Sequence, residues 1–177
     1  MRITVFGGSA PKPGEQAYKE AHKLGNLIGL AGHTVLTGGY IGTMEAVSHG
    51  ASENGGHVIG VTCEEIESWR PVSPNQWVAE EMRFKTMRER LFALIDNCDL
   101  AFALPGGPGT LTEISMMWNQ MQTESIPTRP LTLIGEGWHQ TFTAFYKHLS
   151  GYTHHQTRHL LQFAPGVQEA FDLINGI

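Results

Sequence analysis

Short apolar, β-branched runs alternate along the chain with amphipathic segments of helical period. Ile3-Thr4-Val5-Phe6 reads as a buried strand that stops at Gly7-Gly8-Ser9. Residues 15–31 carry Ala17, Ala21, Leu24, Ile28 and Ala31 at intervals of three or four, which places them on one helical face. Gly32 ends that helix, and residues 33–36 form a second strand running into Thr37-Gly38-Gly39. The rhythm continues with a helix over about 42–54, a strand over 57–61, a helix over 79–97 and a strand over 100–104. A helix over 110–122, a strand over 131–134, a helix over 138–149 and a last helix near 166–174 complete it. Residues 63–78 hold Pro71, Pro74, Trp69 and Trp77 and are expected to form a loop or lid.

Strand–helix–strand alternation at this spacing predicts an α/β fold: a doubly wound parallel sheet with helices on both faces, in one domain spanning 1–177. Right-handed crossovers bring every strand's C-terminal end to one edge of such a sheet. Ligands bind at that edge, where the strand order reverses. The pairs Gly7-Gly8, Gly38-Gly39 and Gly106-Gly107 all follow predicted strands, so one site built from several turns is expected.

Composition narrows the partners. The formal charge is −5, which offers no general attraction to nucleic acid or anionic membranes. An anionic ligand must then be held by backbone amides or a few placed arginines. Charged residues are 16% of the chain against a usual ~25%, which suggests extra buried surface such as a subunit interface. No apolar run approaches the ~18–20 residues of a membrane span, and the N-terminus shows no signal-peptide pattern. Cys63 and Cys98 make no CxxC pair and read as reduced core thiols of a cytoplasmic protein.

Three segments carry candidate chemistry. In Leu104-Pro105-Gly106-Gly107-Pro108-Gly109-Thr110-Leu111-Thr112-Glu113 a strand enters a glycine turn, and a helix starts near Gly109 or Thr110. Glycines let backbone approach an anion, and the helix N-terminus attracts it. Thr110 and Glu113 can face that ligand, or close a T-x-x-E capping box. Thr37-Gly38-Gly39-Tyr40-Ile41-Gly42-Thr43-Met44-Glu45 has the same strand–turn–helix form. In the stretch 82–90, Arg83, Met87 and Arg90 fall on one helical face, and an arginine there can clamp a phosphate or carboxylate or stay solvated. No G-x-x-x-x-G-K-[ST] is present, and 107–109 lacks the third glycine of a dinucleotide fingerprint. His154, His155 and His159 are read as a polar surface turn rather than a metal site.

These turns resemble the LOG (LONELY GUY) family of Rossmann-like nucleotide-binding proteins, often labelled as lysine decarboxylases. Its P-G-G-x-G-T-x-x-E motif stands intact from Pro105 to Glu113. Its G-G-G-x-x-G-x-M motif corresponds to 37–44 with Thr37 for the first glycine, and its M-x-x-R to Met87-Arg88-Glu89-Arg90. The resemblance implies hydrolysis of the N-glycosidic bond of a nucleoside 5′-monophosphate, of the cytokinin riboside or AMP type, to free base and ribose 5-phosphate. It implies Arg90 and Glu113 as the catalytic pair. Substrate would be held by Gly8, Ser9, Gly38, Gly39, Gly42, Met87, Gly106, Gly107, Gly109 and Thr110, the phosphate resting on the amides of Gly38, Gly39 and Gly42 or of 106–110; the start of the helix after 105–109 is the expected seat. No metal or organic cofactor is expected, and a homodimer is. None of the five lysines sits in a recognisable pyridoxal-phosphate site. Leu91 stands where family enzymes carry lysine. The T-G-G-x-x-G-x-M-E form also resembles a branch containing a molybdenum-cofactor carrier, so a non-catalytic binder of a nucleotide or phosphorylated cofactor is the alternative.

Overall fold

A strand with apolar residues on both of its faces needs cover on both sides. In β1 (Arg2–Phe6) Ile3 and Val5 enter one core while Phe6 enters a second on the opposite face. The computed structural model describes residues 1–153 and 155–176. After β1 come α1 (Gln16–Leu30), β2 (Thr34–Thr37), α2 (Thr43–Ser52), β3 (Val58–Cys63), α3 (Glu64–Trp69) and β4 (Glu80–Phe84). The second half holds α4 (Met87–Asp96), β5 (Leu100–Ala103), α5 (Pro108–Gln122), β6 (Leu131–Ile134) and α6 (Glu136–His148). It closes with α7 (His155–Arg158), β7 (Gln162–Ala164), α8 (Val167–Asp172) and a 3-10 turn over Leu173–Gly176.

The seven strands form one parallel sheet in the order β4-β3-β2-β1-β5-β6-β7. Alternate strand residues feed different cores: Val35 and Phe102 one, Leu36, Ala101 and Ala103 the other. The first core is covered by α1, α2 and α8 through residues such as Leu24, Val47 and Phe171. The second is covered by α4, α5 and α6 through Leu94, Met117 and Phe142. This is the doubly wound Rossmann-like fold that the alternation predicts. Among the described residues no helix is long and apolar enough to cross a membrane.

The structure corrects the expected helix over 79–97. Its first part is the edge strand β4, paired in parallel with β3 from Ile59↔Glu80 to Cys63↔Phe84. Met82 and Phe84 turn half-buried towards the second core while Glu81 and Arg83 stay exposed, a period of two rather than 3.6. The helix begins only after Thr86, where a capping box forms: Thr86 Oγ1 accepts from the Glu89 amide, and the Thr86 amide donates to Glu89. Arg83 therefore does not share a helix with Arg90; it pairs with Glu67. The stretch 63–78 is not wholly loop, since α3 occupies its start, and β7 is a further strand at the far edge. Within the His154, His155 and His159 turn, His154 lies outside the described residues. His155 and His159 bring ring nitrogens within 3.1 Å. Cys63 and Cys98 are free and buried, and burial raises the Cys98 thiol pKa.

Candidate functional site

Neighbouring strands β1 and β5 continue into helices on opposite faces, so their C-terminal turns diverge and leave a gap. Hydrogen bonds tie the turns around it. The Gly8 amide donates to the Pro105 carbonyl at 3.3 Å, and the Gly8 carbonyl accepts from the Thr43 amide at 2.9 Å and its hydroxyl at 3.0 Å. The gap opens into a cleft of about 360 Å³. One wall is Gly7, Gly8 and Ser9, the floor Arg90 and Glu113, another wall Gly107 to Thr110, and the outer rim Glu65, Ile66, Trp69 and Arg70 of α3 and its end.

Arg90 is a buried guanidinium held mainly by backbone. Its Nε donates to the Val61 carbonyl at 2.7 Å and one terminal nitrogen to the Gly38 carbonyl at 3.2 Å. The guanidinium also lies 5.7 Å from the centre of the Tyr40 ring. Its other terminal nitrogen stands 4.0 Å from Glu113 Oε1. Tyr40 is itself fixed: its oxygen accepts from the Cys63 amide at 2.9 Å, and its hydrogen is shared between the Cys63 carbonyl and Glu67.

Glu113 sits one turn into α5 with its side chain only 14% exposed. Burial pushes its carboxyl pKa up to about 7, and Arg90 pulls in the opposite direction. The T-x-x-E capping reading of 110–113 is excluded, because α5 starts at Pro108 with Gly107 as N-cap. Thr110 lies inside the helix, leaving Glu113 to face the cleft.

Of the residues expected to bind substrate, Gly8, Ser9, Met87, Gly107, Gly109 and Thr110 line the cleft with Arg90 and Glu113. Gly38, Gly39, Gly42 and Gly106 are not among its lining residues, and each is closely packed. A β-carbon at Gly38 would lie 1.9 Å from the Arg90 guanidinium, and one at Gly42 2.6 Å from the Gly8 carbonyl. At Gly106 it would meet the Thr110 hydroxyl at 2.1 Å. Gly39, at φ +77°, presses on Gly60 of β3. Tyr40 and Met44 line the cleft from within the second motif. The rim from Glu65 to Arg70 lies in the segment expected to be a loop or lid; its helix of six residues leaves too little periodicity to read. Leu91 packs against the second core.

This is a doubly wound α/β protein with an open cleft at its switch point. The chain belongs to the SLOG cluster4 family, whose model matches residues 1–146. It is 33% identical over 175 residues to the rice cytokinin riboside 5′-monophosphate phosphoribohydrolase LOG, covering 95% of this chain and 70% of that protein. It is 31% identical to the Arabidopsis thaliana enzyme LOG1, covering 95% and 79%. Among solved structures, the molybdenum cofactor binding protein of Rippkaea orientalis has a TM-score of 0.77 at 24% identity, covering 99% of this chain and 95% of that one. The Chlamydomonas reinhardtii Moco carrier protein has a TM-score of 0.69 at 26% identity, with the same coverage.

Proposed function

We propose that the protein hydrolyses the N-glycosidic bond of a nucleoside 5′-monophosphate, with Glu113 and Arg90 as its catalytic residues. The observation that carries this reading is a buried carboxyl 4.0 Å from a backbone-held arginine, at the mouth of a glycine turn that opens a helix, where burial pushes the carboxyl pKa upward. The phosphate docks on the free amides at the start of α5, with the Thr110 hydroxyl beside them. Cleavage of the C1′–N bond builds positive charge on the ribose. Ionised Glu113 stabilises that charge and takes a proton from the attacking water, whose oxygen bonds to C1′ as the base leaves with the bonding pair; the base takes up a proton from solvent and Glu113 returns its own to solvent. Arg90 orients ribose and keeps part of Glu113 ionised near neutrality. Curated relatives at about 31–33% identity named for this reaction support the reading. A second copy of the chain is proposed as the physiological partner, supported by the low charged fraction and by Leu111, 41% exposed on α5.

The test is release of free base from AMP and from N6-isopentenyl-AMP by the purified protein. Turnover is expected in the wild type and its loss in Glu113→Gln, with nucleotide affinity near normal because the carboxylate acts on the transition state. No base release above the Glu113→Gln level overturns it. The second reading, a binder of molybdenum cofactor or a nucleotide without turnover, is favoured by the Moco-carrier folds. It predicts thermal stabilisation by ligand with no product.

A further inference from the structure

On the α1–α2 side of the sheet, outside the cleft, three side chains converge. His22 of α1 places Nε2 3.0 Å from Glu53 Oε2, and His49 of α2 places Nε2 3.1 Å from Glu53 Oε1. The donor atoms of all three lie within 4.8 Å of one another. We propose that His22, His49 and Glu53 form a site for a divalent transition-metal ion of the zinc class, clipping α1 to α2.

The donor set suits such an ion: two imidazole nitrogens and one carboxylate oxygen, with solvent able to supply a fourth ligand. Ligand atoms ~2.0–2.1 Å from a tetrahedral ion stand ~3.3 Å apart. The two nitrogen–oxygen separations run to different oxygens of Glu53 and are within a few tenths of an ångström of that spacing, so the carboxylate has only to turn one oxygen towards both imidazoles to complete the set. Side-chain exposures of 28%, 32% and 45% for His22, His49 and Glu53 leave an entry path.

The helices that carry the donors are held backbone against backbone. A β-carbon at Gly50 would lie 2.0 Å from the His22 carbonyl, and one at Gly25 2.1 Å from the Val47 carbonyl. His22 thus faces His49 and Glu53 from a rigid support, and little ordering remains when an ion arrives. Elsewhere, the His155–His159 pair brings two ring nitrogens within 3.1 Å of each other, a donor set of two that is weaker than one of three.

The site also reaches the cleft mechanically. The His49 ring stacks on Trp77 with centroids 4.1 Å apart and planes 17° apart. Two residues earlier, Asn75 donates to the Gly39 and Tyr40 carbonyls at 3.0 and 2.9 Å. An ion on His49 would brace the segment that holds the turn beneath Arg90.

The full chain, freed of any affinity tag and stripped by chelator, is titrated with Zn²⁺ by calorimetry and with Co²⁺ by visible absorption and tryptophan emission. One ion per chain is expected, with a raised Tm, cobalt d–d bands, and Co²⁺ quenching that is reduced in Trp77→Phe. His22→Gln and Glu53→Gln, neither of which removes the Trp77 stack, should each weaken binding by about tenfold or more. Absence of stoichiometric binding overturns the proposal and leaves the group a histidine–carboxylate ion-pair cluster. Binding that neither substitution weakens places the ion elsewhere and overturns it equally.

Discussion

At the scale of single residues, the carboxyl of Glu113 makes the sharpest pH prediction. Its pKa rises from 4.5 to about 7 on folding, so the folded chain holds this proton more tightly than the unfolded chain. Its contribution to stability is whole below about 4.5 and is lost as pH rises through about 7. Glu113→Gln removes the titration. The Tm of the variant relative to wild type should climb between those pH values and level off above them; a flat difference would show the carboxyl unperturbed. Gly38 supplies a second residue-scale outcome. A β-carbon there strikes the Arg90 guanidinium and the Met44 sulfur, at 1.9 and 2.5 Å, rather than backbone. Gly38→Ala should therefore fold with a small change in Tm but displace Arg90 from the Gly38 carbonyl. Base release falling by tenfold or more, on the order of 1.4 kcal/mol in the barrier, is expected in steady-state assays of this variant.

At the scale of elements, the N-terminus of α5 is the part built for an anion. Its N-cap, Gly107, makes no side-chain cap hydrogen bond, so the first amides are left for a ligand. Nothing lies within 4 Å of a β-carbon at Gly107, and its φ of −95° suits any residue. Gly107→Val should fold normally while its branched side chain blocks the approach of phosphate. AMP affinity measured by calorimetry should drop about tenfold, on the order of 1.4 kcal/mol; unchanged affinity would move the phosphate to the turn at 38–42. The contrast with α4 is instructive. Its N-terminus is closed by its own Thr86–Glu89 box, and the Met87 amide donates to Glu65 at 2.8 Å. The same T-x-x-E letters occur at 86–89 and 110–113, and only at the first does the threonine precede the helix. What separates the two is the proline and glycine at 108 and 109, which start α5 earlier.

At the scale of the whole molecule, the reversal of strand order between β2-β1 and β5 produces the cleft, since it sends α1 and α5 to opposite faces. Leu111 lies on the exposed side of α5, in a shallow groove with Met116 and Asn119, two residues from Glu113. Sedimentation equilibrium should give twice the 19.5 kDa of one chain, and Leu111→Glu should shift it towards one chain. A monomer at all concentrations would remove the homodimer from the proposed function.

Much of this was legible in the sequence because the signals are local. Apolar runs bounded by glycine predict β1, β2, β3, β5 and β6, and the interval of three or four predicts α1 and α2. The motif at 105–113 marks the element that carries Glu113. The edge strand β4 escaped because its partner lies on one side only, so half its residues stay charged and resemble a helix face. The strand β7 and the helix α3 are too short for their periods to show. Sequence by itself determined the alternating fold and the glycine turns at the strand ends, since backbone propensity and glycine spacing are properties of neighbouring residues. Tertiary structure alone decided that Gly38, Gly42 and Gly106 have no room for a β-carbon, against Arg90, the Gly8 carbonyl and the Thr110 hydroxyl. It also decided that burial lifts Glu113 towards neutrality, and that His22 meets His49 and Glu53, because burial and approach depend on residues far apart in the chain.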